Sequence, residues 1–208
     1  MKRFLAIAAF TLALSGSPIA QEHGSRPSNT PVPRPTQVPR PTTTPSTSTP
    51  QTGRDSSVQD SSGWVRFTSA SGRFTVLMPE TPTDKVETTQ SEHGPYTTHL
   101  FVVRDTTSVY LIGWVDYDVT FNFNRQAELE ANRDNFVKGI NATLLTSNQT
   151  TIDGYNAIEF VAETTDRVFK SRVYMVGRRP YQIVIGSPKG QDDSVQASRF
   201  FNSFKIHL

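Results

Sequence analysis

Residues 97–117 read TTHLFVVRDTTSVYLIGWVDY, two runs rich in branched and aromatic side chains separated by Asp105-Thr106-Thr107. Such side chains suit a pleated, half-buried surface, and the polar triplet is a turn signal. The stretch therefore predicts two neighbouring antiparallel strands, Thr97–Arg104 and Ser108–Tyr117. Upstream, His93-Gly94-Pro95 is a second turn signal between extended runs. Arg73–Pro79 (RFTVLMP) reads as a strand stopped by proline.

Downstream of this stretch the period changes. From Asn124 to Ile140, Leu129, Phe136, Val137 and Ile140 share one helical stripe, with Glu128, Glu130, Arg133, Asp134 and Lys138 mostly away from it. Asn124 is the expected N-cap and Gly139 the expected terminator. Strand patterns then resume over Ala142–Ile152, Tyr155–Glu163, Arg167–Val176 and Tyr181–Gly186, with Asp153-Gly154 and Gly177–Pro180 as tight connections. From Gln191 to Phe204, Ala197, Phe200, Phe201 and Phe204 recur at helical spacing, which predicts a second amphipathic helix. Strands, helix, strands, helix, joined by short hairpin links, is the order of an α+β fold: a mainly antiparallel sheet flanked by helices.

Further upstream the composition breaks near Ser62. Met1-Lys2-Arg3, the apolar run Phe4–Leu14 and the breakers Ser15-Gly16-Ser17-Pro18 form the pattern of a signal peptide, residues 1–20, with a mature start at Gln21. The apolar run is too short to span a bilayer, which takes about 20 residues. Residues 21–62 read as a Pro/Thr/Ser-rich stalk. Gly24–Arg54 contains no acidic or aromatic residue, and Val32-Pro33-Arg34-Pro35-Thr36 repeats as Val38-Pro39-Arg40-Pro41-Thr42. Such a segment buries too little apolar area to offset its ordering entropy. In a polyproline-II helix Arg34 and Arg40 would share a face about 19 Å apart, as on a strip facing an anionic surface, or simply as solvated spacer residues. The rest, residues 63–208, is expected to be a single domain. The expected destination is secreted or periplasmic, and the protein is not expected to span a membrane.

The net charge of +2 hides an asymmetry: from Gly63 onward 15 basic residues face 16 acidic ones, a net of −1. The excess positive charge belongs to the leader and stalk. Nucleic acid, which is bound by concentrated basic surfaces, is therefore not an expected partner. The densest basic patch is Lys170, Arg172, Arg178 and Arg179, interrupted by Val173–Val176. The absence of cysteine excludes disulfides, thiolate metal sites and thiol nucleophiles.

Residues that could carry chemistry are few. His93 and His99 flank the Gly94-Pro95 turn with Glu92 beside them, and a tight hairpin could bring the imidazoles together around zinc or copper; a solvated hairpin tip reads the same way. Asp116 and Asp118, at i, i+2, would share one face of a strand end, able to hold calcium or divide acid and base roles, with Trp114 and Tyr117 lining a shallow groove. A solvent-facing strand end has the same pattern. No nucleophile elbow, zinc-protease helix or phosphate-binding glycine loop occurs. Asn141-Ala142-Thr143 and Asn148-Gln149-Thr150 match the glycosylation acceptor pattern. No catalytic, cofactor or metal residue is therefore assigned. The expected function is that of a non-enzymatic interaction domain on a stalk, binding a protein or cell-envelope component. The alternative is a small-molecule or metal-binding protein, hydrolytic in one version, using a groove near Asp116 and Asp118.

Several joins resemble the PsbP-like fold: Phe74-Thr75-Val76 with Met78-Pro79, Asp153-Gly154-Tyr155 with Ala157–Phe160, Arg172-Val173-Tyr174 with Val176-Gly177, and Phe200–Lys205. The resemblance covers nearly all of Gly63–Leu208. It implies an α/β/α-type sandwich and non-catalytic binding to a protein partner.

Overall fold

The computed structural model describes residues 54–91, 94–122 and 124–207. The expected signal peptide, most of the expected stalk, and Glu92 and His93 lie outside the described residues. Among those described, no helix is long and apolar enough to cross a membrane.

Among the described residues, eleven strands and two helices follow in the order β1 (Ser56–Gln59), β2 (Val65–Ser69), β3 (Phe74–Met78), β4 (Thr83–Ser91), β5 (Gly94–Arg104), β6 (Val109–Tyr117), α1 (Arg125–Gly139), β7 (Thr143–Ile152), β8 (Tyr155–Glu163), β9 (Arg167–Val176), β10 (Arg179–Pro188), α2 (Ser194–Ser203) and β11 (Lys205–Ile206). Seven strands form one sheet in the order β4-β5-β6-β10-β9-β8-β7, and β1-β2-β3-β11 form a second. Every pairing between neighbouring strands is antiparallel. The α+β class read from the sequence is the class observed.

The large sheet is buried on both sides. One face carries Phe101, Tyr110, Ile112, Trp114, Tyr181 and Ile183 against the small sheet and α2; the other carries Leu111, Phe160, Phe169 and Val184 against α1. The central strands β6 and β10 are buried almost throughout, so neither alternates between apolar and polar positions, and the buried polar side chains of β10, Gln182 and Ser187, are hydrogen-bonded. Among the described residues, α1 and Phe121 of the loop before it cover one face, and α2 shares the other with the small sheet.

The folded region starts earlier than the composition break at Ser62. β1 pairs with β2 from Ser56↔Thr68 to Gln59↔Val65. Asp55 accepts the Ala70 amide at 2.8 Å, and Asp60 accepts Ser62 and Trp64 amides and pairs with Arg199 of α2 at 2.7 Å. β1 is exposed at all its positions and is held by backbone bonds and two carboxylates, so it leaves no burial pattern in the sequence.

Asn124 is the N-cap of α1, its side chain accepting the Gln126 and Ala127 amides. The terminator is not Gly139 but Asn141, at φ 52°. The Ala142 amide bonds the Val137 carbonyl and the Asn141 amide the Lys138 carbonyl, a Schellman ending with asparagine in the left-handed position. This also gives Asn141 a structural role within its Asn-x-Thr triplet. The Asp153-Gly154 turn takes positive φ at both residues, 51° and 84°, matching the right-handed twist of β7 and β8.

Candidate functional site

Trp114 sits on β6 opposite His99 of β5 on one side and Tyr181 of β10 on the other. Asp116 lies one pleat further along the same face, next to Arg179 at the start of β10. The His99 ring stacks on Trp114 at 4.3 Å with the planes 4° apart. The Asp116 carboxylate joins the group together. Its Oδ1 accepts from Arg179 Nε at 2.6 Å, and its Oδ2 from Trp114 Nε1 at 3.1 Å and His99 Nε2 at 3.3 Å. Arg179 also donates to the Ser71 carbonyl and the Tyr181 hydroxyl, and Tyr181 donates to the Gly72 carbonyl. Gly72 is packed so closely that a Cβ there would stand 2.5 Å from Phe74 Cε1 and 2.9 Å from Trp114 Cζ3.

The two histidine and aspartate candidates thus merge, in a way neither reading anticipated. His99 pairs across the β4–β5 ladder with Val86, well inside the strand, and meets Asp116 rather than a hairpin-tip ligand set. Burial holds its imidazole below the ordinary value, against the pull of Asp116, so a neutral ring donating Nε2–H is the form near neutral pH. Both oxygens of Asp116 are occupied by protein donors. A metal ion or a general base would need the electron pairs that Arg179, Trp114 and His99 already use.

Asp118 does not share this face as a carboxylate partner. β6 ends at Tyr117, and Asp118 turns its Oδ1 back to the Thr120 amide at 2.9 Å and hydroxyl at 2.7 Å. Those hydrogen bonds hold its carboxyl below the usual range. Residues at i and i+2 share a face only while a strand continues, and β6 does not continue to Asp118. Trp114 is 1% exposed, so it packs the core rather than lining a groove.

Tyr117 faces the other side of the sheet, where its hydroxyl donates to Glu128. Asn132 Nδ2 also donates to that carboxylate at 2.9 Å. Glu128 is 1% exposed, although the helical reading placed it away from the apolar stripe. The signal was present: Glu128, Asn132 and Phe136 follow at i, i+4, i+8 and form one buried line. Burial raises the Glu128 carboxyl above its ordinary value of 4.5. Its contribution to stability is therefore full below the unfolded-state value and is lost as pH rises through the folded one. Glu128→Gln, which can still accept from Tyr117 and Asn132, is expected to raise the melting temperature by roughly a few degrees at about pH 7 and to change it little at about pH 4. Paired melts at the two pH values check this; destabilisation at both would show that the ionised carboxylate is required.

The basic patch dissolves into separate pairs. Lys170 binds Asp193, Arg172 Nε binds Glu159 Oε1 at 2.6 Å, Arg179 binds Asp116, and Arg178 donates to the Asp118 and Phe121 carbonyls. The Arg172–Glu159 pair, together with Lys170, borders an open groove of about 390 Å³ between α2 and the β7–β9 part of the large sheet. Arg172 lies over the Phe201 ring at 4.8 Å on its floor, and Asn148, Ser171, Ser198 and Asn202 add amides and hydroxyls. The small sheet pairs and packs over the other half of the face, which leaves this half to the short α2 alone. Sequence reading missed the groove because its residues come from four elements spread between Thr146 and Asn202.

No known protein-family profile matches the chain, and no curated protein matches it in sequence. Among solved structures the chain is similar to a cyanobacterial PsbP. That structure is the solution structure of CyanoP from Synechocystis sp. PCC 6803, matched at 11% identity with a TM-score of 0.47, over 70% of this chain and 93% of that one. A protein from Bacteroides thetaiotaomicron VPI-5482 matches at 11% identity with a TM-score of 0.30, over 65% of this chain and 46% of that one.

Proposed function

We propose that this chain is an exported, non-enzymatic interaction domain carried on a basic Pro/Thr-rich stalk, and that the groove between α2 and β7–β9 receives a protein or cell-envelope component. The observation that carries the reading is the contrast between the two polar clusters. Both Asp116 oxygens accept from Arg179, Trp114 and His99, whereas the Arg172–Glu159 pair, Asn148 and Ser198 line a groove. A mixed lining of one ion pair, amides and hydroxyls around an aromatic floor suits a polar, hydrogen-bonding surface rather than a lipid tail.

The test uses the full-length mature chain, captured against solubilised envelope of its own source and compared with Ser198→Trp, which fills the groove from an exposed position on α2. The expected result is loss of at least about tenfold in capture with unchanged melting, as for a residue at the centre of an interface. Undiminished capture by Ser198→Trp would overturn the groove assignment. A stoichiometric metal ion that survives purification and leaves with a chelator would instead favour the small-molecule or metal-binding alternative.

A further inference from the structure

Among the described residues the large sheet has two outer edges, β4 and β7, and they differ in chemistry. β4 (TDKVETTQS) exposes Asp84, Lys85 and Glu87, the charged side chains by which edge strands resist pairing with another chain. β7 (TLLTSNQTTI) has ten residues, no charge and no proline, and is exposed at eight of them. Its Leu144 and Leu145 are 37% and 49% exposed.

The two-residue Asp153-Gly154 turn sets which backbone groups face outward. Ile152 and Tyr155 flank it as a hydrogen-bonded pair, so alternate residues back to Thr146 bond to β8, and the register shifts between Thr146 and Leu144. The amides and carbonyls of Ser147, Gln149 and Thr151 consequently point away from β8. Their side chains share the α1 face: Ser147 accepts from Arg133 at 2.9 Å and Gln149 donates to Glu130 at 3.0 Å.

We propose that β7 is a homodimerisation edge, pairing antiparallel with β7 of a second copy about a two-fold axis at Gln149. Ser147 then faces Thr151 of the other copy, Gln149 faces Gln149, and about six main-chain hydrogen bonds close the ladder. A second copy is the occupant that the charge pattern selects. Self-pairing brings like residues together, which costs nothing on an uncharged edge, and the outward side chains are hydroxyls and an amide that both donate and accept. The same pairing through β4 would set its own charges against one another. Because paired residues in an antiparallel ladder share a face, both α1 helices lie on one side of the continuous sheet and both grooves on the other.

Sedimentation of the full chain over a wide concentration range is the test. A reversible dimer is expected, weakened about tenfold or more by Gln149→Pro, which removes one outward donor per copy and leaves the β8 bonds in place. Gln149→Lys puts like charges opposite each other and should weaken it similarly, which guards against a folding defect in the proline variant. Thr88→Lys on β4 should leave the dimer intact. In this cysteine-free chain, Gln149→Cys should form a single intermolecular disulfide on oxidation. A monomer at every concentration, or a dimer that survives both Gln149→Pro and Gln149→Lys, overturns the proposal.

Discussion

Phe200→Ala lowers the stability of the domain by about 3–5 kcal/mol, the range for removing a fully buried phenylalanine, and its melting temperature by about 10 °C or more. Phe200 is 0% exposed and meets Tyr110 edge-on at 5.3 Å and Phe201 at 5.5 Å. The helix that carries it has little stability of its own. α2 has ten residues, and its N-cap Asp193 makes no capping bond, its carboxylate being used by Lys170 and by Ser187 at 2.9 Å. α2 therefore holds through Ala197, Phe200, Phe201 and Phe204, all buried in one cluster with the faces of both sheets. Truncation before Ser194 goes further, because it also removes β11, which pairs with β3, and uncovers the aromatic face over Tyr110 and Tyr181. An insoluble product is expected. Urea and thermal melts of Phe200→Ala check the first claim and recovery in the soluble fraction the second; a cooperatively melting truncated domain would show that the small sheet closes the core without α2.

Trp114→Ala should cost a similar amount, about 3–5 kcal/mol, and it also reports on the polar cluster. The indole is 1% exposed, lies within 5.8 Å of Phe74 and 5.7 Å of Phe101, and carries the His99 stack. Truncating it leaves the Gly72 turn facing a cavity and takes one donor from Asp116. Trp114→Phe separates the two effects. It keeps most of the packing but removes Nε1–H, so a loss of about 1 kcal/mol is expected from the missing hydrogen bond. Urea denaturation of the three proteins, followed by far-UV circular dichroism, checks the order. Equal losses for the alanine and phenylalanine variants would mean that the hydrogen bond to Asp116, rather than packing, dominates.

Both helices and the strands β3 and β5 to β10 stood within a few residues of their observed ends, through helical periodicity, branched and aromatic runs and the turn residues between them. β2 was not read, although Val65, Phe67 and Ser69 alternate inward, because five residues carry too short a period. β1 and β11 were not legible, since an exposed four-residue strand and a two-residue one bury too little to leave a pattern. At the candidate site, His99, Asp116 and Trp114 could be named as interesting residues, yet the expected groupings were wrong. His99 was assigned to a hairpin tip and Asp116 to a pair with Asp118, because neighbours in sequence were the only neighbours available. Arg179, which occupies an Asp116 oxygen, lies 63 residues away.

By itself, then, the sequence determined the α+β class, the positions of its helices and hairpin turns, and the charge contrast between basic residues 1–62 and slightly acidic residues 63–208. These are properties of local periodicity, turn chemistry and composition. Only the tertiary structure decided that β10 returns beside β6, that a second sheet shares a face with α2, that Asp116 is fully used by Arg179, Trp114 and His99, and that a groove and an uncharged edge stay open at β7. Each of those depends on strand order, and strand order is set by which buried faces fit together across the fold rather than by any stretch of chain read alone.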